Sequence, residues 1–322
     1  MRAPPTGRSK PKARLPEPMV NCKLLSETLR APFFTATLST VLVGNLAGFA
    51  HTGRLDPLML VLSLAAMLFV HAGANTANDY FDAATGNDDV NPYHTPFNGG
   101  SRVIQDGRVS RRTVGLISLV SFLAATGLGL VIWLLTPGNL ILWLGLFGVL
   151  TGAAYTAPPL RLGYRGLGEA VIALDFGLLP VVGGFYVQTG AYHPAALYAG
   201  ITPSLLILAV IWINQFPDYQ ADAAVGKRTL VVRLGRRRSR WIFAALLTGV
   251  YLASLMLTLL DRAPWWTLLV WTTLPLAVGA LRIAWRRYDE PLELIPAEGK
   301  TVQLQLFGNL ALAAGYLLAG LS

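Results

Sequence analysis

Long apolar runs recur along almost the whole chain. Each has the length that an α-helix needs to cross the hydrocarbon core of a bilayer, about 20 residues. The runs are residues 31–51, 57–80, 113–135, 139–157, 168–188, 194–216, 241–260, 265–285 and 303–321. The segments between them carry no strand pattern and no soluble domain. We therefore expect an all-α, polytopic membrane bundle of nine transmembrane helices.

The composition excludes most other classes of protein. Only 13% of the 322 residues are charged and 53% are hydrophobic, whereas soluble domains have about 25% charged residues. Too few charges remain to cover the surface of a soluble protein of this size, so a disordered protein is excluded. A nucleic-acid binder is excluded as well, despite the net charge of +9. The single cysteine permits no intrachain disulfide.

Basic residues are distributed asymmetrically about these spans. Of the 26 lysines and arginines, all but Arg54 and Arg262 fall on one side of the nine-span arrangement. Because cytoplasmic loops carry the excess of basic residues, this side is predicted to be cytoplasmic and the C-terminus outside, in the inner (plasma) membrane. Residues 1–25 are rich in Pro, Lys and Arg and predict a disordered basic cytoplasmic tail, with no signal peptide. Residues 26–322 then form the membrane domain.

Carboxylates collect in two segments that repeat each other. Residues 75–89 read NTANDYFDAATGNDD after the second span, and residues 214–228 read NQFPDYQADAAVGKR after the sixth. Both contain Asn-x-x-x-Asp-Tyr followed by Asp-Ala-Ala-x-Gly, four spans apart. This internal repeat predicts two similar four-helix halves plus a final helix.

The spacing within each segment places its carboxylates on one helix face. Asp79 and Asp82 are three residues apart, and Asp218 and Asp222 are four apart. Carboxylates this close repel one another and are costly to desolvate, so we expect them to share a cation. Oxygen ligands without a cysteine or a histidine pair favour Mg²⁺. Asp88, later in the first segment, is a further candidate ligand.

Neighbouring cytoplasmic loops supply groups that can bind an anion. The candidates are Arg102, Arg161, Lys227 and Arg228. Arg102 follows an Asn-Gly-Gly-Ser turn that is rich in free N–H groups. Carboxylates, a divalent cation and arginine together make a clamp for a diphosphate. A diphosphate site beside an apolar bundle suggests a lipid-like substrate whose tail lies among the helices, in contact with membrane lipid.

These motifs resemble those of the UbiA superfamily of intramembrane prenyltransferases. Asn78, Asp79 and Asp82 meet the family's Asn-Asp-x-x-Asp motif, and Asp218 and Asp222 meet its Asp-x-x-x-Asp motif. The resemblance covers the chain after the tail. It implies Mg²⁺-dependent transfer of a polyprenyl group from polyprenyl diphosphate to an acceptor.

Three further segments, at residues 164–169, 186–190 and 226–235, are similar to one branch of this family. That branch prenylates an aromatic acceptor, 1,4-dihydroxy-2-naphthoate, with loss of the ring carboxylate to give demethylmenaquinone. A departure is the family's Tyr-x-x-x-Lys element, which appears as the stretch from Tyr155 to Arg161. Other acceptors therefore stay open: 4-hydroxybenzoate, a chlorophyllide-type macrocycle or a glycerol-phosphate lipid.

Several residues near the motifs are candidates for binding substrate. They are Asn75, Asn78, Asn214, Tyr155, Asp175 and His71. The asparagines would orient carboxylates or bind diphosphate, although interhelical hydrogen bonding is an alternative. Asp175 lies inside the fifth span, where an ionisable group indicates function, and would bind the acceptor. His71 would act as a base or acceptor ligand, or be a hydrogen-bonded core histidine.

Two other classes of membrane protein share some of these features. A CDP-alcohol phosphotransferase is also aspartate-dependent, but it would carry its acidic residues on two adjacent helices. A transporter is suggested by the internal repeat and by Asp175 within a span. Against it, the paired aspartates gather at one membrane face rather than at the midplane.

Overall fold

The computed structural model describes residues 22–86 and 91–322, and these are helical with no strand. In chain order the helices are α1 (Cys22–Leu29), α2 (Ala31–Thr52), α3 (Pro57–Thr85), α4 (Arg111–Leu135), α5 (Leu140–Ala154), α6 (Gly168–Thr189), α7 (Ala195–Ala224), α8 (Leu230–Leu234), α9 (Arg236–Leu259), α10 (Trp265–Arg287) and α11 (Pro291–Leu321). The sequence-based expectation of an all-α bundle is confirmed. Helix α1 begins inside the predicted tail at residue 22, and residues 1–21 lie outside the described part of the chain.

Eight of these helices are long and apolar enough to cross a membrane, so the predicted count of nine is not confirmed. The fourth predicted span, 139–157, corresponds to α5, which has 15 residues. At 1.5 Å per residue such a helix is about 22 Å long, short of a full crossing. Pro158 and Pro159 follow closely, and proline cannot continue the helical hydrogen bonding.

Helix ends place both carboxylate segments. The Asp56 side chain caps the start of α3 by accepting hydrogen bonds from the N–H groups of Leu58 and Met59. At the other end, Gly86 takes a left-handed conformation (φ 75°) and stops α3 within one turn of Asp82. Gly226 has nearly the same conformation (φ 74°) just after α7. Both aspartate pairs therefore lie in the last two turns of a membrane helix.

Small residues allow the helices to approach closely. A Cβ on Gly44 of α2 would lie 2.5 Å from the carbonyl oxygen of Val181 on α6. The Ser118 hydroxyl of α4 donates a 2.9 Å hydrogen bond to the carbonyl of Gly73 on α3. Such contacts are the means by which membrane helices pack without a hydrophobic driving force.

Outward-facing surfaces of the bundle are apolar. Leu134 on α4 is 74% exposed and Trp143 on α5 is 62% exposed. A soluble protein would not leave so many large apolar side chains in contact with water. The buried core lies among α2, α6, α7, α9, α10 and α11. The chain is a multi-pass membrane protein.

Candidate active site

Lys227 joins the two aspartate segments. Its ammonium nitrogen lies 3.2 Å from Oδ1 of Asp222 and 3.9 Å from Oδ2 of Asp82. Both carboxylates are buried. Burial alone would favour the neutral amine, but Asp222 and Asp82 hold the pKa of Lys227 well above its ordinary value. The ends of α3 and α7 thus meet around a cation that the chain itself provides.

Asp82 is held by donors from two directions. The Tyr164 hydroxyl donates a 2.7 Å hydrogen bond to Oδ1, and Asn78 Nδ2 donates a 3.0 Å hydrogen bond to Oδ2. Tyr164 lies in a short helical turn at Leu162–Arg165 before α6, and Thr85 contacts its hydroxyl at 3.0 Å. Burial and then the Asp82 carboxylate raise the pKa of Tyr164, so its phenol keeps the proton it donates.

Asp79 faces a loop that folds back over the end of α3. The backbone N–H of Ser101 donates to Oδ2 at 3.2 Å, and the Arg30 guanidinium lies 4.0 Å from Oδ1. Gly99 and Gly100 precede Ser101, both with φ 71°. Two consecutive left-handed residues are readily adopted only by glycine, and they turn the Ser101 N–H towards the carboxylate.

Asp218 is half-buried and accepts a 2.7 Å hydrogen bond from Asn91 Nδ2. Asn91 follows the first acidic segment in the chain, so residues from the first half of the sequence support the second carboxylate pair. Asp88, predicted as a further ligand, lies outside the described residues.

A cavity of about 170 Å³ lies beside the carboxylates. Much of its wall is apolar, but it also carries polar side chains, and it is called the polar cavity below. All six residues that the sequence nominated for substrate binding line it: Asn75, Asn78, Asn214, Tyr155, Asp175 and His71. Asn75 Nδ2 also donates to the Leu29 carbonyl at 3.1 Å, and Asn214 Nδ2 donates to the Phe97 carbonyl at 3.2 Å. The cavity is therefore lined with side chains that can bind a polar ring or a phosphate.

His71 is a buried histidine with its own partners in this wall. Its Nδ1 lies 2.7 Å from the Thr37 hydroxyl. The ring packs against Phe34 and Phe176, with ring centroids 5.2 and 4.8 Å away. These contacts match the interpretation of a hydrogen-bonded core histidine that forms part of the cavity surface.

A second, apolar cavity of about 240 Å³ lies among α3, α4, α5 and α6. Its wall includes Met67, Val70, Leu130, Leu144 and Val149. Asp175 lines both cavities. An apolar chain would find a matching surface in this second cavity, and a polar head would find one in the first.

The predicted arginines lie at the edges of the site. The Arg161 guanidinium lies 5.6 Å from the ring centroid of Tyr164. Arg102 is half-buried in the loop over α3 (φ 58°), where burial and then its charge lower the pKa of His94. The Arg228 side chain is exposed, and its backbone N–H donates to the Tyr164 carbonyl at 3.0 Å.

Sequence reasoning missed three residues that contact the aspartates directly. They are Arg30, Asn91 and Tyr164. Tyr164 begins one of the segments that carry the family resemblance, which was a signal for it. Arg30 stands alone before the first span and Asn91 follows the acidic segment, and neither lies in a motif.

Donor chemistry at the site suits magnesium. Within residues 22–86 and 91–322, no three His, Cys, Asp or Glu side chains are close enough to hold a metal by themselves. Mg²⁺ is usually held by one or two carboxylates, with water and substrate phosphate completing its coordination. Paired aspartates beside a cavity that can take a phosphate meet that requirement.

Comparison with known proteins gives relatives that align over most of this chain. A 2-carboxy-1,4-naphthoquinone phytyltransferase from Synechocystis sp. is 28% identical over 93% of this chain and 94% of its own length. A 1,4-dihydroxy-2-naphthoate octaprenyltransferase from Escherichia coli is 30% identical over 91% of this chain and 94% of its own.

Solved structures show the same fold. A UbiA homologue from Archaeoglobus fulgidus, bound to DMAPP and Mg²⁺, gives a TM-score of 0.63 at 18% identity, over 90% of this chain and 99% of its own. The UbiA prenyltransferase family itself matches residues 37–294. The predicted family is therefore confirmed, and this chain belongs to the UbiA prenyltransferase family, a family of membrane-embedded transferases.

Proposed function

We propose that this prenyltransferase transfers a polyprenyl group from polyprenyl diphosphate to 1,4-dihydroxy-2-naphthoate in a Mg²⁺-dependent reaction. The observation that carries the proposal is the Lys227 bridge between the two aspartate segments, beside a polar cavity that shares Asp175 with an apolar one. The naphthoate and naphthoquinone in the names of the relatives support this acceptor. The Archaeoglobus homologue bound to DMAPP and Mg²⁺ supports the donor and the metal.

The diphosphate binds where the two segments meet. Asp79, Asp82, Asp218 and Asp222 would supply carboxylates to Mg²⁺, one or two to an ion, with water and substrate phosphate as its other ligands. The bound metal would neutralise the diphosphate charge. Lys227 and Arg30 take up charge that builds on the leaving group, because both are cations already placed against these aspartates. Arg102, Arg161 and Arg228 extend the anion-binding surface on the loop side.

Neighbouring side chains keep the carboxylates in fixed orientations. Tyr164 and Asn78 orient Asp82, Ser101 orients Asp79, and Asn91 orients Asp218. Because these donors are in place before substrate arrives, little reorganisation is needed as the reaction proceeds.

The reaction then proceeds at the junction of the two cavities. The allylic C–O bond breaks, and the diphosphate leaves with the electron pair. The acceptor ring attacks C1 of the prenyl group, and the ring carboxylate is lost as CO₂, which gives the quinol form of demethylmenaquinone. The apolar cavity excludes water, which would otherwise convert the prenyl cation to an alcohol.

The carboxylate face is proposed to be cytoplasmic, with the C-terminus on the other side of the inner membrane. The excess of basic residues on the loops of that face, and in the tail over residues 1–25, supports this orientation. Membership of the UbiA prenyltransferase family removes the reason to prefer a transporter or a CDP-alcohol phosphotransferase.

The test uses purified protein in detergent with Mg²⁺ and a labelled polyprenyl diphosphate. 1,4-Dihydroxy-2-naphthoate and 4-hydroxybenzoate are offered separately, and prenylated product is measured with and without EDTA. We expect EDTA-sensitive product with the naphthoate alone. Product with only 4-hydroxybenzoate would replace the acceptor, and product that survives EDTA would contradict the metal requirement.

A further inference from the structure

Asp175 is a buried carboxyl whose hydrogen bonding is incomplete. Its side chain is 4% exposed, within α6. Oδ2 accepts a 2.7 Å hydrogen bond from the Thr151 hydroxyl of α5. Oδ1 is buried and has no hydrogen-bond partner among the described residues. The described part of the chain also places no Lys, Arg or His within ion-pair distance of it.

Asp175 lies in a local distortion of its helix. Residues Leu174–Leu178 form a π-helical turn within α6, between α-helical segments on either side. Such bulges are uncommon and occur often at functional sites, because they displace side chains from the regular helical positions. Asp175 is the second residue of this turn.

An unmatched carboxyl oxygen in the interior of a membrane bundle is costly. The cost falls when a hydrogen-bond donor reaches it, and the surroundings show where a donor can come from. Asp175 lines both the polar cavity and the apolar cavity, so a molecule bound at their junction would lie against its side chain.

Of the two substrates, only one offers a suitable donor. The polyprenyl chain has no polar hydrogen, and its diphosphate is an anion that a carboxylate repels. The aromatic acceptor carries ring hydroxyls. Resting on the proposed function, we propose that Asp175 Oδ1 binds a ring hydroxyl of the acceptor, while Thr151 holds Oδ2.

This contact would set the orientation of the ring. Like-charge repulsion turns the acceptor's own carboxylate away from Asp175. The ring carbon that forms the new bond lies next to a hydroxyl-bearing carbon, so fixing that hydroxyl places the reacting carbon at the mouth of the apolar cavity. Asp175 thereby selects hydroxylated rings and positions them for attack on the prenyl group.

The test measures acceptor and donor separately in Asp175→Leu, Asp175→Asn and Thr151→Val. We expect Asp175→Leu to raise the acceptor KM by about tenfold or more. A change of this size is expected when one hydrogen bond to a charged group is lost. The KM for polyprenyl diphosphate should stay within about twofold. Thr151→Val and Asp175→Asn should give smaller changes in the acceptor KM. Asp261→Asn, which neutralises an exposed aspartate outside the site, is the matched control.

A second arm uses the acceptor itself. The wild type should prefer 1,4-dihydroxy-2-naphthoate over both of its mono-methyl ethers. Of the two ethers, the one that blocks the hydroxyl bound by Asp175 should have a kcat/KM about tenfold lower than the other. Asp175→Leu should lose that discrimination. An unchanged preference in Asp175→Leu would overturn the inference.

The proposed role and a purely structural role predict different effects on stability. If Asp175 serves the acceptor, replacing this unpaired buried carboxyl with an apolar residue should leave the Tm unchanged or raise it. A lower Tm with equal changes in both KM values would therefore overturn the inference.

Equilibrium titration with 1,4-dihydroxy-2-naphthoate separates this proposal from the proposed function. Absence of turnover in the wild type contradicts the function, whereas equal Kd values for wild type and Asp175→Leu contradict only the role of Asp175.

Discussion

The two aspartate segments share a sequence pattern and a backbone ending. Each runs Asp-Ala-Ala-x-Gly, and the glycine is left-handed in both, with φ 75° at Gly86 and 74° at Gly226. The internal repeat in the sequence therefore extends to the structure, where both helices end in the same backbone conformation. Both aspartate pairs end their helices at the same face, where Lys227 can reach both.

Support around the two segments differs. Asp79 and Asp82 are buried, with donors from α1's end, the loop after α3 and the turn before α6. In the second segment Pro217 precedes Asp218 directly and removes a backbone hydrogen bond from α7. Asp218 is half-buried and accepts from Asn91. Asp79 and Asp82 are thus held by more donors than Asp218, whereas Asp222 is as buried as the first pair and lies 3.2 Å from Lys227.

The largest effect is expected from removing one aspartate of either pair. Asp79→Ala and Asp218→Ala should each lower kcat by about 10³-fold, because both segments are needed to neutralise the leaving diphosphate. Turnover with saturating substrates measures this, and the Tm in detergent should stay close to that of the wild type. Asp261→Asn, on an exposed loop, is the control.

Near wild-type turnover in one of the two variants would contradict the expectation that both segments are needed. It would mean that a single segment supports catalysis and that the repeat does not reflect a shared function.

Much of this comparison could be predicted from the sequence. Helical periodicity places each aspartate pair on one face, and the repeat brings Asp82 and Asp222 together. Three of the donors were not predicted, because Arg30, Asn91 and Tyr164 reach the carboxylates only through loop conformations. Asn91 and Asp218, for example, are 127 positions apart. The count of nine spans is not confirmed for a related reason, since apolarity alone does not show where α5 ends.

Replacing Lys227, which lies between Asp82 and Asp222, is expected to give the next largest loss of kcat. Lys227→Met should lower kcat about 100-fold, because it removes a cation from the diphosphate site and leaves Asp82 and Asp222 to repel each other. Lys227→Arg should recover part of the loss. Arg237→Met, which removes an exposed charge nearby, is the matched control. Equal turnover of Lys227→Met and Arg237→Met would show that the bridge has no part in the reaction.

The donors to the two segments allow a direct test of their unequal support. Tyr164→Phe removes the 2.7 Å hydrogen bond to Asp82, and Asn91→Leu removes the 2.7 Å hydrogen bond to Asp218. Each should reduce kcat/KM about tenfold, as expected for a hydrogen bond to a charged group. The Mg²⁺ concentration for half-maximal activity should rise more in Asn91→Leu, because Asp82 retains Asn78 and Lys227. An equal rise in both variants would show that the additional partners of Asp82 do not matter for metal binding.

The smallest effect is expected at the two glycines that end the helices. Gly86→Ala and Gly226→Ala should each lower the free energy of unfolding by about 1 kcal/mol, the cost of a left-handed conformation for an L-residue. A Cβ on Gly226 would meet no atom within 4 Å, so backbone conformation alone sets its cost. Activity should separate the two variants. Gly226 directly precedes Lys227, whose N–H donates to the Asp222 carbonyl at 2.8 Å, so a shift there moves the bridging cation. Gly226→Ala should therefore lower kcat several-fold more than Gly86→Ala, and equal kcat values would show that the bridge tolerates movement of its backbone.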